Sequence, residues 1–277
     1  MALQTLALIG FGNIATQLVK SLAEHLPEPF GRIDVLLRPG TSSERIEAVS
    51  SLCATISKKT RVHTTQASFQ QCGAALVIEC AAHQAVADHV VGMLSMGYES
   101  IVTSVGALGD ATLAERLIEA AQTGRTRLVV PAGAIGALDI VAALKHAGIE
   151  SLCYRSRKPP ATWRDTPAES ALDLATVDVA TAFYDGNARE AVLDYPKNAN
   201  VAAALALAGI GFERTQVTLI ADPDVDGNVH EFDVVSAAGS VSVRIEGKAS
   251  KDNPKTSLPT VYSLVREVMN RVGPLVV

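Results

Sequence analysis

The N-terminal part of the chain contains an apolar strand, a glycine turn and a helix in immediate succession. Four apolar residues, Leu6 to Ile9, are followed by Gly10, Gly12 and Ala15 in a G-x-G-x-x-A pattern. The first glycine permits a sharp turn, the second removes a Cβ where a pyrophosphate would approach, and the helix N-terminus directs free N–H groups at the phosphates. An ordinary βα turn without a ligand is the alternative, and the apolar strand directly before the glycines argues against it. The pattern predicts a dinucleotide site in an α/β fold.

The composition is that of a large, mildly acidic globular chain. Its 277 residues are 48% hydrophobic, which is enough for two domains, and the formal net charge is −5. This charge argues against binding to nucleic acid or to an anionic membrane surface. The sequence shows no signal peptide and no apolar stretch of the ~20 residues that would span a bilayer, so we expect a cytoplasmic protein with no membrane partner.

The four cysteines form no recognisable metal or redox motif. They include no C-x-x-C pair and have no companion histidine at zinc spacing. We predict reduced thiols, most of them in the core, and no metal site. The cysteines are Cys53, Cys72, Cys80 and Cys153.

Strand and helix patterns alternate through the first half of the chain. After the first βα unit, the predicted strands are 32–37, 74–78, 100–103 and 128–130, and the predicted helices are 42–52, 83–94 and 111–121. Ser42 or Ser43 is the predicted N-cap of the first of these helices. Repeated βα units with short connections indicate a doubly wound parallel sheet. We therefore predict a Rossmann-type dinucleotide-binding domain over residues 1–132.

The pattern changes after Pro131. The predicted elements are a helix at 135–146, a strand at 151–156, helices at 187–193 and 200–207, and strands at 215–220, 229–235 and 241–245. Lys158-Pro159-Pro160 marks a loop. Asp226-Gly227 predicts a hairpin turn between the first two of the last three strands, and Gly239 a turn between the last two.

These features predict a second α/β domain with a largely antiparallel sheet. We assign it residues 133–257 and the functions of substrate binding and dimerisation. The final helix is predicted at 258–272, and we expect the segment 258–277 to pack back on the first domain.

The end of the second predicted strand bears on the choice between NAD and NADP. An acidic residue about 20 positions after the glycines usually binds the ribose hydroxyls of NAD. Asp34 comes too early for this role, and the residue at the strand tip is Arg38, followed by hydroxyl side chains at 41–43. A guanidinium suits a 2′-phosphate, which predicts that NADP is accepted alongside NAD. A solvated arginine at a strand end is the alternative.

Small residues follow the strand predicted at 74–78. Ala81 and Ala82 lie where the carboxyl edge of the sheet is expected, and ligands bind at this edge in open α/β folds. Ala81 is therefore a predicted cofactor contact, because a small side chain would let a nicotinamide ribose lie flat. His83 and His89 are either ligands or bases of a site, or histidines near a helix start that face water.

A second glycine-containing connection joins the strand at 128–130 to the next helix. It contains Gly133 and Gly136, so backbone N–H groups near Ala134 are expected at a helix start. Such a site suits a nicotinamide amide or a substrate carboxylate. Close packing alone is the alternative reason for the glycines.

Four segments together resemble the L-aspartate dehydrogenase family. They are 131–139, 198–203, Ala221-Asp222-Pro223 with 228–231, and 253–257, and the similarity runs the whole length of the chain in the same order. The resemblance implies a Rossmann domain and an α/β dimerisation and substrate domain, and we expect a homodimer. It also implies the oxidation of L-aspartate with NAD or NADP to iminoaspartate, which yields oxaloacetate and ammonia or supplies NAD biosynthesis.

The resemblance also assigns roles to individual residues. It makes His230 the catalytic residue, and Ala134 and Asn200 cofactor contacts. The cofactor contacts of the glycine turn are Gly10, Gly12, Asn13 and Ile14. An imidazole that is neutral near pH 7 can accept the proton when hydride leaves Cα, and can then activate water against the imine. Arg38 stands where many members have an acidic residue, which puts a strict preference for NAD in doubt.

Several polar residues have both a functional and a structural interpretation. Asn200 begins an Ala-rich helix and could be its N-cap as well as a ligand of the nicotinamide ribose. Asp222 and Glu231 could orient His230 or be surface charges. The candidate substrate contacts, for which solvated or packing roles are the alternatives, are Gly133, Lys255 and Thr256, with Arg157 and Lys158 as weaker candidates.

Two other functions are compatible with the sequence. One is a related dehydrogenase or reductase of the homoserine dehydrogenase or dihydrodipicolinate reductase type. The other is a regulator that binds NADP without turnover. A regulator needs the glycine turn but has no use for His230 or for a polar substrate pocket.

Overall fold

The computed structural model divides the chain into two compact units. It describes residues 4–196, 198–250 and 253–277, and the side chains at 249–250 and 253–256 lie outside this description. The first unit combines Met1–Pro131 with Thr260–Val277, and the second comprises Ala132–Pro259. The chain therefore leaves the first unit once and returns to it with its last helix.

The first unit contains a six-stranded parallel sheet and its crossover helices. The strands are β1 (Thr5–Ile9), β2 (Arg32–Leu36), β3 (Thr60–His63), β4 (Leu76–Glu79), β5 (Ser100–Val102) and β6 (Leu128–Val129). The helices are α1 (Asn13–His25), α2 (Ser43–Cys53), α3 (Gln66–Gln70), α4 (His83–Ala85), α5 (Val91–Ser95) and α6 (Ala111–Thr123).

The second unit contains a five-stranded mixed sheet, helices and a short two-stranded ribbon. The strands are β7 (Ile149–Lys158), β8 (Thr181–Asn187), β9 (Thr215–Ala221), β10 (Val229–Ser236), β11 (Gly239–Glu246), β12 (Ala249–Ser250) and β13 (Asn253–Ser257). The helices are α7 (Leu138–Ala147), α8 (Ala168–Ala171), α9 (Ala188–Asp194) and α10 (Asn200–Ala208). The last helix, α11 (Leu258–Val272), belongs to the first unit from Thr260 onward.

The strand order of the first sheet confirms the predicted doubly wound fold. The order is β3–β2–β1–β4–β5–β6, and every described pairing in this sheet is parallel. Leu6 to Ile9 of β1 and all four residues of β4 are buried, as expected for parallel strands covered on both faces. From β1 the chain adds β2 and β3 on one side of the sheet, and it then adds β4, β5 and β6 on the other side, so the strand order reverses between β1 and β4. Ligands bind at the carboxyl ends of the strands beside such a switch point.

Local signals in the sequence account for the first two helices. Helix α1 buries a stripe at helical spacing that includes Ala15, Leu18 and Leu22. Helix α2 begins after Ser42, whose Oγ accepts a hydrogen bond from the Arg45 N–H at 3.3 Å. Ser42 is thus the N-cap, one of the two serines predicted for this position.

Helix α11 supplies part of the core of the first unit. Its buried side chains lie in the same apolar cluster as Leu6 of β1 and Leu18 of α1. These side chains are Val261, Leu264, Val265 and Val268. Helix α11 therefore completes a core to which β1 and α1 also contribute.

The topology of the second sheet differs from the predicted one. The order is β11–β10–β7–β9–β8, so β7 lies between β9 and β10, and the predicted hairpin around Asp226-Gly227 does not form. Strands β7 and β9 are parallel, and the other three pairings are antiparallel. A local turn signal cannot predict that β7, which lies roughly 60 residues earlier in the chain, pairs with both strands in place of their hairpin. The expectation of a largely antiparallel sheet holds.

Some predicted boundaries also change. Strand β7 continues to Lys158 because Pro159 ends it only at the next residue. The helix predicted at 83–94 is interrupted by a π-helical segment, Val86–Val90, between α4 and α5. The helix predicted from 135 begins only at Leu138, because Gly133, Gly136 and Ala137 have positive φ angles. The N–H groups near Ala134 therefore precede the helix.

The packing of α11 predicts that truncation of its buried face destabilises the first unit. Leu264→Ala should lower the free energy of unfolding by about 2–5 kcal/mol, because it removes a fully buried side chain and leaves a cavity. Tyr262→Ala on the exposed face of the same helix is the control and should cost less than about 1 kcal/mol. Urea unfolding of both variants measures the difference. Equal losses would contradict this account of the core.

Candidate functional site

The glycine turn of the first unit fits a phosphate group. Gly10 has a φ of +81°, and a Cβ on it would lie 2.7 Å from the Cβ of Ala81. Gly12 has open space where its Cβ would be, with no atom within 4 Å. Helix α1 has no side-chain cap and no acidic residue in its first turn, and the buried Asn13 Nδ2 has no partner among the described residues. Free donors and open space at a helix N-terminus suit a pyrophosphate.

A buried carboxylate shapes the loop that faces this turn. Glu79 ends β4 and is fully buried, and its carboxylate accepts hydrogen bonds from the Ala81 N–H at 2.7 Å and from the Ser104 N–H and hydroxyl at 3.0 Å. Burial raises the pKa of Glu79, and these hydrogen bonds oppose the rise. The contact between Gly10 and Ala81 thus brings together two of the predicted cofactor residues.

The residues at and beyond the tip of β2 bear on the choice between NAD and NADP. Asp34 is buried in the middle of the strand, where it accepts hydrogen bonds from Arg32 at 2.6 Å and pairs with His63 at 2.8 Å. Arg38 lies beyond the strand end and is exposed. The sequence did not single out Arg45, whose guanidinium donates to the Phe11 carbonyl in the glycine turn at 2.6 Å. A cation therefore lies next to the turn as well as at the strand tip.

His230 is a buried residue of β10 with one ring nitrogen held by a tyrosine. The distance from its Nδ1 to the Tyr154 hydroxyl is 2.7 Å. Burial and the charge of Lys158 lower the pKa of His230 to about 3, so the ring is neutral at physiological pH. Burial also raises the pKa of Tyr154, so this hydroxyl keeps its proton. Among the described residues Nε2 has no hydrogen-bond partner.

Three polar side chains of β7 face His230 on the inner side of the sheet. Tyr154, Ser156 and Lys158 occupy alternate positions of the strand, and all three are buried. Ser156 is the cross-strand partner of His230, so the tyrosine and the lysine lie on either side of it along the strand. The Lys158 Nζ donates to the Asn198 Oδ1 at 2.9 Å and lies 4.8 Å from the centre of the Trp163 ring.

The acidic residues near His230 in the sequence do not orient its ring. Glu231 points to the outer face of the sheet, where Arg157 donates to it at 3.0 Å and Arg244 binds its other oxygen. Asp222 is 3.4 Å from Arg157 and accepts a hydrogen bond from the Asp224 N–H. Neither carboxylate is within hydrogen-bonding distance of His230, and Tyr154 has the orienting role instead.

Two predicted cofactor segments lie near this cluster. A Cβ on Gly136 would be 3.5 Å from Ile245, the cross-strand partner of His230, so the segment with Gly133 and Ala134 approaches the same sheet face. Asn200 is the first residue of α10, two positions after Asn198. The N-cap is Ala199, and it makes no side-chain cap, so Asn200 is not the predicted cap.

The other predicted site residues do not belong to this cluster or lie outside the described side chains. The side chains of Lys255 and Thr256 lie outside the described residues. His83 begins α4, and His89 lies in the π-helical segment, where its Nδ1 is buried without a partner among the described residues. A shallow cavity lined by Arg164, Glu169 and residues 170–175 contains none of the predicted site residues.

In the part of the chain that the structure describes, no three His, Cys, Asp or Glu side chains are grouped so that they could hold a metal ion. No described helix combines the length and the apolar character needed to cross a bilayer. Cys53, Cys72 and Cys80 are buried free thiols, and Cys153 is partly exposed.

The two halves of the chain match two family models. Residues 139–271 match the model described as "Aspartate dehydrogenase, C-terminal". Residues 10–131 match the model described as "Homoserine dehydrogenase, NAD binding domain". The second match, together with the Rossmann-type sheet, indicates a nicotinamide cofactor.

Curated relatives match almost the whole chain. L-aspartate dehydrogenase of Ralstonia nicotianae is 41% identical over 96% of this chain and 96% of its own length. L-aspartate dehydrogenase of Pseudomonas aeruginosa is 40% identical with the same coverage of both chains. Among solved structures, the aspartate dehydrogenase from Thermotoga maritima is similar with a TM-score of 0.73 and 26% identity, and the match covers 99% of each chain.

The geometry of the glycine turn predicts that substitution of Gly12 weakens dinucleotide binding, whereas substitution of Gly10 lowers stability. Gly12→Ala should leave the melting temperature unchanged, since its φ of −92° is ordinary and the space is open. It should weaken the binding of reduced nicotinamide dinucleotide roughly tenfold, about 1.4 kcal/mol. Gly10→Ala is the contrast and should lower stability by about 1–3 kcal/mol because of its φ and the contact with Ala81. Fluorescence titration and thermal unfolding measure both; unchanged binding by Gly12→Ala would exclude this site.

Proposed function

The chain belongs to the L-aspartate dehydrogenase family, and we propose on that basis that it oxidises L-aspartate to iminoaspartate with NAD or NADP. Water then converts the imine to oxaloacetate and ammonia, and the sequence of steps is reversible. The observation that carries the proposal is the buried, neutral His230 held by Tyr154. Amine oxidation needs a proton acceptor of fixed orientation beside the reacting carbon, and this pair supplies one.

The first unit would hold the dinucleotide. The N-terminus of α1 and the open space at Gly12 suit the pyrophosphate, and the orphaned Asn13 amide has a donor to offer it. In the second unit, Ala134 and Asn200 are the proposed contacts of the nicotinamide end. A nicotinamide held there would supply the acceptor for the hydride of the substrate Cα.

His230 would act as the general acid and base. The form that would act as the base is the tautomer in which Nδ1–H donates to the Tyr154 oxygen, 2.7 Å away, and the lone pair is on Nε2. Nε2 can then take a proton from the substrate amine. Once that proton has passed to solvent, Nε2 can take a second one from the water that attacks the imine carbon. The hydrogen bond with Tyr154 holds the ring in one orientation. It does so without a negative charge, so the imidazole remains the group that changes its protonation.

Arg38 supports the use of NADP alongside NAD. It is exposed at the tip of β2, where the ribose of the adenosine half binds in Rossmann folds. Asp34 is already engaged by Arg32 and His63, and so it is not free to bind ribose hydroxyls. A guanidinium without a carboxylate beside it is suited to a 2′-phosphate.

The oligomeric state, the location and the metabolic role are further parts of the proposal. A homodimer through the outer face of the second sheet is supported by the partly exposed side chains there, among them Val235 at 38% exposure. Light scattering should return twice the chain mass of 29.0 kDa; a monomer would refute the dimer. We propose a cytoplasmic enzyme whose iminoaspartate feeds NAD biosynthesis. Deletion of its gene should therefore make NAD synthesis in the cell more dependent on another source of that imine.

The reverse reaction is the test of the function. Purified protein with oxaloacetate, ammonium and NADH or NADPH should consume the absorbance of the reduced nicotinamide. A regulator that only binds NADP would leave it unchanged. In the forward direction, aspartate should reduce the cofactor faster than homoserine does. Turnover with homoserine but not with aspartate would favour the related dehydrogenase instead.

His230→Ala should lower kcat by about 10²–10⁴, the usual contribution of a general acid or base. Dinucleotide affinity should change little, because the glycine turn is untouched. His146→Ala, an exposed histidine at the end of α7, is the control and should retain full activity. A kcat of the His230 variant within a few fold of the wild type would contradict the catalytic role.

Arg38→Ala should raise the KM for NADP roughly 10- to 100-fold and leave the KM for NAD unchanged, since a hydrogen bond to a charged group contributes about 1.5–3 kcal/mol. Arg61→Ala on the neighbouring β3 removes another exposed arginine and should affect neither value. Steady-state kinetics with both cofactors measure the ratio. The assignment fails if NADP use by the Arg38 variant equals that of the wild type.

A further inference from the structure

A buried lysine lies beside the proposed catalytic histidine. The side chain of Lys158 is at the end of β7, and the residue is 5% exposed. Among the described residues no carboxylate lies within 4 Å of its Nζ. An ammonium buried without a counter-charge is costly, since it has lost its hydration and gained no ion pair. Such a group is retained where a ligand supplies the missing charge.

The neighbouring arginine provides a contrast on the same strand. Arg157 faces the outer side of the sheet, where it donates to Glu231 at 3.0 Å and lies 3.4 Å from Asp222. Its charge is compensated within the chain. Lys158 has only the neutral Asn198 oxygen at 2.9 Å and the Trp163 ring at 4.8 Å. Two of its three N–H donors therefore have no acceptor among the described residues.

We propose that the Lys158 ammonium binds a carboxylate group of the amino-acid substrate next to His230. The inference rests on the proposed function, because it names how the dicarboxylate is held at that site. The residue lies on the same sheet face as His230, with Ser156 opposite the histidine and two positions before the lysine. Asn198 orients the ammonium, and Trp163 covers one side of it.

Binding of a carboxylate at this position would also change the basicity of His230. The charge of Lys158 is one of the two causes that lower the pKa of His230, after burial. A bound anion cancels that charge, so the imidazole becomes a better proton acceptor once substrate is present. The free protein would thus keep the histidine neutral, and the substrate itself would raise its basicity.

The test measures binding of succinate, a four-carbon dicarboxylate without the amine, in the presence of saturating NAD or NADP. Trp163 is the single tryptophan of the chain, so its fluorescence reports on the surroundings of Lys158. Succinate should change this fluorescence saturably in the wild type, and calorimetry gives the same Kd. Lys158→Met should raise that Kd roughly 30- to 1000-fold, equivalent to about 2–4 kcal/mol.

Two controls separate binding from folding. Lys158→Met removes a buried charge and keeps the length of the side chain, so its melting temperature should not fall. Lys145→Met, at an exposed position of α7, should bind succinate like the wild type. A Lys158 variant that is folded and binds succinate within threefold of the wild type would overturn the proposal.

The pH dependence gives a second measurement. Burial lowers the pKa of Lys158 to about 8, and the titratable groups described around it are His230 and Tyr154. Succinate affinity of the wild type should therefore fall as the pH rises from 7 to 10, because the ammonium loses its charge. The Lys158→Met variant should show no such fall. The same fall in the variant would contradict the role of Lys158.

The two proposals can fail separately. His230→Ala should lose turnover and keep the Lys158-dependent binding of succinate. If the wild type binds succinate through Lys158 but does not oxidise aspartate, the proposed function fails and the carboxylate site stands. If the wild type oxidises aspartate and Lys158→Met leaves its KM unchanged, the carboxylate site fails and the function stands.

Discussion

The antiparallel register between β7 and β10 is the constraint on which the site in the second unit depends. It places His230 opposite Ser156, and so between Tyr154 and Lys158 on one face of the sheet. A shift of one residue would move His230 to the outer face, among the ion pairs of Glu231. Buried Phe232 and Val234 follow on the same face as the histidine, and the cost of exposing them maintains the register.

Most of the first unit could be predicted from the sequence because its signals are local, although β3 was not among the predicted strands. The glycine turn follows directly on a buried strand, Ser42 caps a helix three residues before its donor, and the apolar stripe of α11 repeats at helical spacing. Each feature involves neighbours in the chain, so periodicity and turn chemistry suffice. The resemblance of four segments to one family then added the position of the proposed catalytic histidine, which no periodicity indicates.

The second unit was harder to predict, because the contacts that form its candidate site join residues that are distant in the sequence. Tyr154 and His230 are 76 positions apart in the sequence. Strand β7 lies between β9 and β10, which the sequence predicted to form a hairpin. The alternation of Tyr154, Ser156 and Lys158 was visible, but the prolines after Lys158 suggested a loop. Glu231 is adjacent to His230 in the sequence and faces the opposite way, because successive side chains of a strand alternate.

The return of the last helix to the first unit has a consequence for synthesis. The second unit is continuous, whereas the core of the first one lacks Leu264 and Val268 until the second unit has been synthesised. At about 5–20 residues per second, the ribosome needs roughly 7–30 s to proceed from Pro131 to Val268. During that interval the nascent nucleotide fold exposes the apolar groove that α11 later fills. The core of the first unit can therefore close only after the second unit has been synthesised, although the first unit begins earlier in the chain.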